Sequence, residues 1–198
     1  MIDEFAKQYL RDELRDIREV MLATLDGLSE YDVRRPLTPT GTNLLGLVKH
    51  VSMWEARYLG EVFDRPFPEP LLRWDDASRS DDDLWATEHE TRFEIIGRFR
   101  RVGAHSEVTI DALAIDAPGH VPWWPRPDVK LFNVLVHLVI ETNRHAGHAD
   151  ILREQIDGKT GFGAEDTHPL IVDTAFWADR FARIEQAAND AAARTGMT

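Results

Sequence analysis

The chain has 198 residues, of which 43% are hydrophobic and 29% are charged, a balance that is typical of a globular protein rather than of a disordered one. It contains no cysteine, which excludes disulfides, a protein thiol nucleophile and thiolate metal sites. Its 35 acidic and 23 basic side chains give a net charge of −12, which disfavours nucleic acid and anionic membrane surfaces as partners.

No targeting or membrane-spanning segment is visible in the sequence. The first residues lack the basic and apolar regions of a signal peptide, and no stretch is apolar enough to span a bilayer. We therefore expect a cytoplasmic protein without nucleic-acid or membrane partners, and we leave a homodimer open.

Two helices are predicted in the first third of the chain. Apolar residues recur at three-to-four spacing from about Asp3 to Leu28, which predicts the first helix. A polar stretch with two prolines, residues 29–43, predicts a loop. The second helix is predicted over Leu44–Phe63, with Trp54 on its apolar stripe, and the prolines of residues 65–70 prevent its continuation.

Residues 61–90 form an acidic segment with ten acidic and three basic side chains. We considered an acidic docking surface and a solvated loop that leads into a helix. The second interpretation is favoured because Ser80 precedes Asp81–Asp83, and a capping residue followed by acids is a helix start. A third helix is therefore predicted from Asp81, weakening near Gly103. It is predicted to run through Leu84, Trp85, Phe93, Ile96 and Phe99.

The pattern leaves two possibilities for the end of the third helix, and a segment of helix breakers separates it from the fourth. Residues 107–115 fit either a resumed helix or a short strand, and residues 117–130 are rich in proline and glycine. Asp128 is a plausible N-cap for a fourth helix over Val129–Ile156, which Asp157 and Gly158 end.

A last helix is predicted over Thr174–Ala192, after a polar linker. Trp177, Phe181 and Ile184 are expected to form its buried stripe. Because strand signals are scarce, the predicted fold is all-α: a four-helix bundle with an additional C-terminal helix. We expect one domain over residues 1–198, with its core at about residues 3–158.

The fourth helix carries the most informative polar residues. His137, Glu141, His145 and His148 are spaced four, four and three, so they share one helix face with apolar residues. An acid and several imidazoles within an apolar stripe are unfavourable unless they are paired or coordinated. Two ligands one helical turn apart can reach the same ion, although such a pair is also common as a surface or capping pair.

A third ligand is available from the second helix. His50 lies on its apolar stripe and should point inward, either as a hydrogen-bonded core histidine or as a ligand. With Glu141 and His145 it would give two imidazoles and one carboxylate, a set that leaves positions open on zinc or iron. Trp123 and Trp124, and with them Trp54, either line a ligand pocket or cover the end of the bundle.

Three segments, residues 44–51, 121–124 and 137–158, carry a resemblance to a known family. Over about residues 5–160 the chain resembles the DinB-like superfamily, and within it the actinobacterial branch of mycothiol-dependent enzymes. The resemblance implies a four-helix bundle with a divalent metal, zinc or nickel, held by a histidine of the second helix and an E-x3-H of the fourth. By position these ligands are His50, Glu141 and His145, and many relatives have histidine where this chain has Glu141.

The resemblance also implies a reaction. The isomerases of this branch have an additional C-terminal domain for which this chain is too short, so we expect mycothiol transfer to an electrophile instead. A metal would hold the sulfur as thiolate, and a protein without cysteine must import that sulfur. His137 and His148 are candidates for hydrogen bonds to the ligands or for proton handling, and equally for structural burial.

Two alternatives to this transferase remain open at the level of the sequence. One is a hydrolase that uses metal-bound hydroxide in the same site. The other is a non-catalytic bundle protein that binds a metal or a ligand.

Overall fold

The computed structural model describes residues 2–71, 83–161 and 174–195. The chain divides into two compact units, residues 1–161 and residues 162–198, which we describe separately. The single domain expected over residues 1–198 stays a prediction. The described α-helices are α1 Ile2–Ala23, α2 Glu30–Arg34, α3 Leu44–Tyr58, α4 Arg92–Ala112, α5 Leu131–Asp157 and α6 Thr174–Thr195.

The four long helices of the first unit form the predicted bundle. Helix α1 packs on α4 and α5, and α3 packs on the same two helices. The all-α prediction is therefore confirmed. The core between these helices is mostly aliphatic, and its largest fully buried apolar side chains are Leu14, Met21, Leu25, Leu44, Leu45, Leu59, Ile110, Leu131 and Leu135.

A small antiparallel sheet precedes α5, in a segment for which no strand was predicted. Strand β1 is Pro118–His120 and β2 is Asp128–Lys130, with Gly119 opposite Val129. The prediction that Asp128 caps the fourth helix is therefore wrong. The helix begins at Leu131 because the backbone N–H of Lys130 donates to the Asn133 side chain.

Helices α1 and α3 both end earlier than predicted. Helix α1 ends at Ala23, but Leu25 is fully buried in the following turn, so the apolar periodicity runs past the helix. Helix α3 ends at Tyr58, and Glu61–Phe63 form a separate 3₁₀ turn. Between them lies Gly60, where a Cβ would stand 2.2 Å from the Ala56 carbonyl oxygen.

The predicted start of the third helix is also wrong. Residues 83–90 are not helical, and Ser80, the predicted cap, lies outside the described residues. Helix α4 begins at Arg92, since Thr91 and Glu94 form a reciprocal capping box. The helix then runs through Gly103 to Ala112, which settles the open question about its C-terminal part.

The later start changes the buried face of α4. Leu84, Trp85 and Phe93 are exposed, because the first two precede the helix and Phe93 lies on its outer face. The side chains of α4 that are buried are Ile95, Phe99, Val102, Ser106, Thr109 and Ile110.

The end of α5 agrees with the prediction, whereas the C-terminal helix agrees with it only in part. Gly158 follows Asp157 with φ of 77°, the left-handed conformation that glycine adopts readily at a helix end. A helix is present where it was predicted: α6 is described from Thr174 to Thr195, and the residues just before it lie outside the described range. Its apolar side chains Trp177, Phe181 and Ile184 are exposed, contrary to the predicted buried stripe. None of the described helices is long and apolar enough to cross a bilayer.

A buried ion pair joins three helices of the bundle. The Arg18 guanidinium on α1 donates to both carboxylate oxygens of Glu55 on α3, at 3.0 and 2.7 Å. Its remaining terminal nitrogen donates to Glu107 on α4 at 3.0 Å. Arg18 and Glu55 are 5% and 1% exposed, so each charge depends on the other for compensation.

This network predicts a stability difference between two variants. Glu55→Leu leaves a buried guanidinium with one carboxylate, and we expect the free energy of unfolding in urea to fall by about 3–5 kcal/mol. The control Arg15→Ala removes an ion pair to Glu107 from a half-exposed side chain and should cost under about 1 kcal/mol. Equal losses in the two variants would contradict this account of the pair.

Candidate metal centre

The three predicted ligands meet between α3 and α5. His50, Glu141 and His145 each offer a ligand atom, and these atoms lie within 4.8 Å of one another. The ring centroids of His50 and His145 are 4.8 Å apart, and His145 Nε2 is 3.0 Å from Glu141 Oε1. All three side chains are partly buried. We refer to them as the triad.

Helix geometry explains why these residues come together. Glu141 and His145 are one turn apart on α5, so their side chains project from the same face. On α3, Leu47 and Val51 are buried in the core, and His50 lies on the side where α3 packs on α5. The pairing of α3 with α5 therefore closes the triad.

His145 is a largely neutral imidazole with one ring nitrogen that lacks a hydrogen-bond partner. Burial lowers its pKa, and the neighbouring His50 acts in the same direction against the Glu141 carboxylate. A lowered pKa leaves the imidazole neutral near pH 7, with a lone pair to offer. Its Nδ1 is buried and has no hydrogen-bond partner among the described residues, which is rare for a buried polar atom. A cation among these donors would fit the site.

One residue of the site was missed by the sequence reasoning. Asp83 is 5% exposed, and its Oδ2 lies 2.6 Å from His50 Nδ1 and accepts a hydrogen bond of 3.2 Å from the Trp54 indole. Burial alone would raise the pKa of Asp83, but the hydrogen bonds from His50 and Trp54 hold it below its usual value. In the sequence Asp83 belongs to an acidic run that is typical of a solvated loop.

His137 and His148 flank the triad without a hydrogen bond to it in the described part of the chain. The His137 ring lies 4.8 Å from both Tyr58 and Trp124, and burial lowers its pKa against the opposing effect of Glu141. His148 is exposed, with its ring 5.8 Å from that of His145. Both remain candidates for a supporting role.

The three predicted pocket tryptophans form an aromatic wall with Tyr58. The Tyr58 hydroxyl accepts hydrogen bonds of 3.0 Å from the indole N–H groups of both Trp123 and Trp124. Trp54 connects this wall to the triad, at 5.6 Å from Trp123 and 6.3 Å from the His50 ring.

A cleft of about 490 Å³ lies beside Trp123, β1 and the 3₁₀ turn. Trp54, Trp124 and the triad do not line this cleft. Since its size carries no chemistry by itself, we place the candidate site at the triad, where the donor atoms converge.

The family described as Mycothiol-S-transferase matches residues 9–158. The chain belongs to this family. The matched range contains α3 and α5 whole, and with them the triad and the aromatic wall. The chain is thus an enzyme of the mycothiol-dependent S-transferase type, as the resemblance implied. Among curated proteins, none matches the chain.

The aromatic wall of this S-transferase gives a prediction about Tyr58. Tyr58→Phe removes the oxygen to which two indoles donate, so we expect the free energy of unfolding to fall by about 1–2 kcal/mol. The tryptophan fluorescence of the folded protein should change as well. The control Tyr31→Phe alters an exposed hydroxyl and should leave both measurements unchanged. If the two variants behave alike, the shared hydroxyl does not order the wall.

Proposed function

We propose that this S-transferase moves mycothiol onto an electrophile with the help of one divalent ion, zinc, held by His50, Glu141 and His145. The proposal is carried by the convergence of their three ligand atoms within 4.8 Å, in a mycothiol S-transferase that has no cysteine. Nickel and iron accept the same donors. We propose the cytoplasm as the location and leave a homodimer as a prediction.

The donor set supports an open coordination site. Two neutral imidazoles and one carboxylate are three protein ligands, the number found in catalytic zinc sites that keep one position for another ligand. When bound, the ion would supply the positive charge that lowers the pKa of a thiol at this position. The carboxylate of Glu141 reduces the site's net charge relative to a site with three histidines.

The chain's own residues would act around that sulfur. The indole of Trp54, 6.3 Å from the His50 ring, and that of Trp123 behind it would shield one side of the triad from solvent. As the thiol ionises, its proton must reach a base or the solvent. His137, which burial keeps neutral, and the exposed His148 are the two candidates for accepting it.

Metal stoichiometry tests the triad directly. After loading with zinc and removal of excess metal, we expect about one equivalent per chain by elemental analysis. His50→Ala and His145→Ala should each lose most of it. His89→Ala, which changes an exposed histidine outside the bundle helices, should retain it. Full occupancy in both triad variants would remove the basis for the metal centre.

The origin of the sulfur gives a second prediction. Conjugation of mycothiol to a fluorogenic alkyl halide should require both the thiol and the ion, and should stop on chelation. It should survive pretreatment with a cysteine alkylator that is then removed, because the chain has no cysteine to modify. Equal conjugation rates with and without metal would contradict the mechanism. Ester turnover without thiol would instead favour the hydrolase.

A further inference from the structure

Asp83 differs from the other described acids of the acidic segment in being buried. Glu61, Asp64 and Glu88 are exposed, and Glu69 and Glu90 are partly so. Burial of a carboxylate is unfavourable unless its oxygens receive hydrogen bonds. For Asp83 the partners are the His50 ring and the Trp54 indole, both on the inner face of α3. A solvated loop would have no need of these contacts.

The backbone after Asp83 is fixed to the start of α3. The Leu84 carbonyl accepts a hydrogen bond of 3.3 Å from the Asn43 side chain, and Lys49 Nζ donates to the Trp85 carbonyl at 2.9 Å. Gly46 permits this approach, since a Cβ there would stand 1.9 Å from the Leu84 oxygen. The helix that carries His50 therefore also fixes the segment that carries Asp83.

The hydrogen bond to Asp83 gives the two ring nitrogens of His50 different roles. Nδ1 is engaged at 2.6 Å, and no hydrogen bond from the described residues reaches Nε2. A neutral imidazole has one N–H and one lone pair, and the partner of one nitrogen decides which nitrogen holds the proton. A carboxylate at Nδ1 keeps the proton there and leaves the lone pair on Nε2.

We propose that Asp83 is a positioning residue for His50: it accepts the Nδ1–H hydrogen bond, fixes the tilt of the ring and reserves Nε2 for the metal. This inference rests on the proposed metal centre, although the hydrogen bond itself needs no ion. Carboxylates behind metal-binding histidines act in this way, and their loss typically weakens metal binding about 10–100-fold.

Nitrogen NMR of the metal-free protein tests the tautomer, and zinc titration tests the consequence. At mildly alkaline pH we expect His50 in wild type as the Nδ1–H tautomer. In Asp83→Asn the amide can donate to Nδ1 as well as accept from it, so the Nε2–H form should appear. The zinc dissociation constant should rise about 10–100-fold. The matched control Glu88→Gln, in the same segment, should change neither.

Gly46→Ala provides a second variant that keeps the carboxylate. It displaces the backbone at Leu84 and should shift the His50 tautomer in the same direction as Asp83→Asn. A role in stability alone would not move the tautomer.

Three results separate the possible failures. An Nε2–H tautomer in wild type overturns the proposal without any variant. An unchanged tautomer and zinc affinity in Asp83→Asn overturns it as well. If wild type shows the Nδ1–H tautomer but binds no zinc, the metal centre is overturned. The Asp83–His50 hydrogen bond would then be confirmed, but its role in metal binding would be overturned.

Discussion

The position of α3 within the bundle is the constraint on which the candidate site depends. On one side, the bidentate contact between Arg18 and Glu55 ties this helix to α1, and both side chains are almost fully buried. On the other side, its first turns lie against the backbone at Leu84. Because α3 is held on both sides, its position along its own axis is fixed. His50 therefore lies at a fixed position opposite Glu141 and His145 on α5. A shift of α3 along its axis would separate His50 from Glu141 and His145 together.

The site itself combines short-range and long-range order. Two of its polar residues are one turn apart on a single helix, which needs nothing more than the α-helical repeat. The third comes from a neighbouring helix, and Asp83 comes from a segment without regular structure. The charged and neutral groups are also arranged unevenly: carboxylates lie at both ends of the cluster, while the imidazoles face each other between them. Such an arrangement favours a cation over an anion.

The part of this arrangement that sequence reasoning predicts is the part with a local signal. The spacing of Glu141 and His145 predicted that they share a helix face. The apolar stripe of α3, together with the family resemblance, predicted His50 as the third ligand. Asp83 had no such signal, because its partner is 33 residues away and its neighbours are other acids. The start of α4 was predicted wrongly for a related reason. Ser80 and the acids after it have the pattern of a helix cap, but the helix begins at Arg92, after the capping box of Thr91 and Glu94. Local sequence patterns do not show which of two possible helix starts is used, because tertiary packing determines it.

The close approach at Gly46 has a consequence for the comparison of related chains. A side chain at this position would push the Leu84 backbone away. The hydrogen bond between His50 and Asp83 therefore goes with a glycine at position 46, which lets the Leu84 backbone approach, and with an acid at position 83, just before Leu84. In this chain the two features act together. Their joint presence or absence would therefore sort members of the family by how the α3 histidine is held, even where the three metal-binding positions are identical.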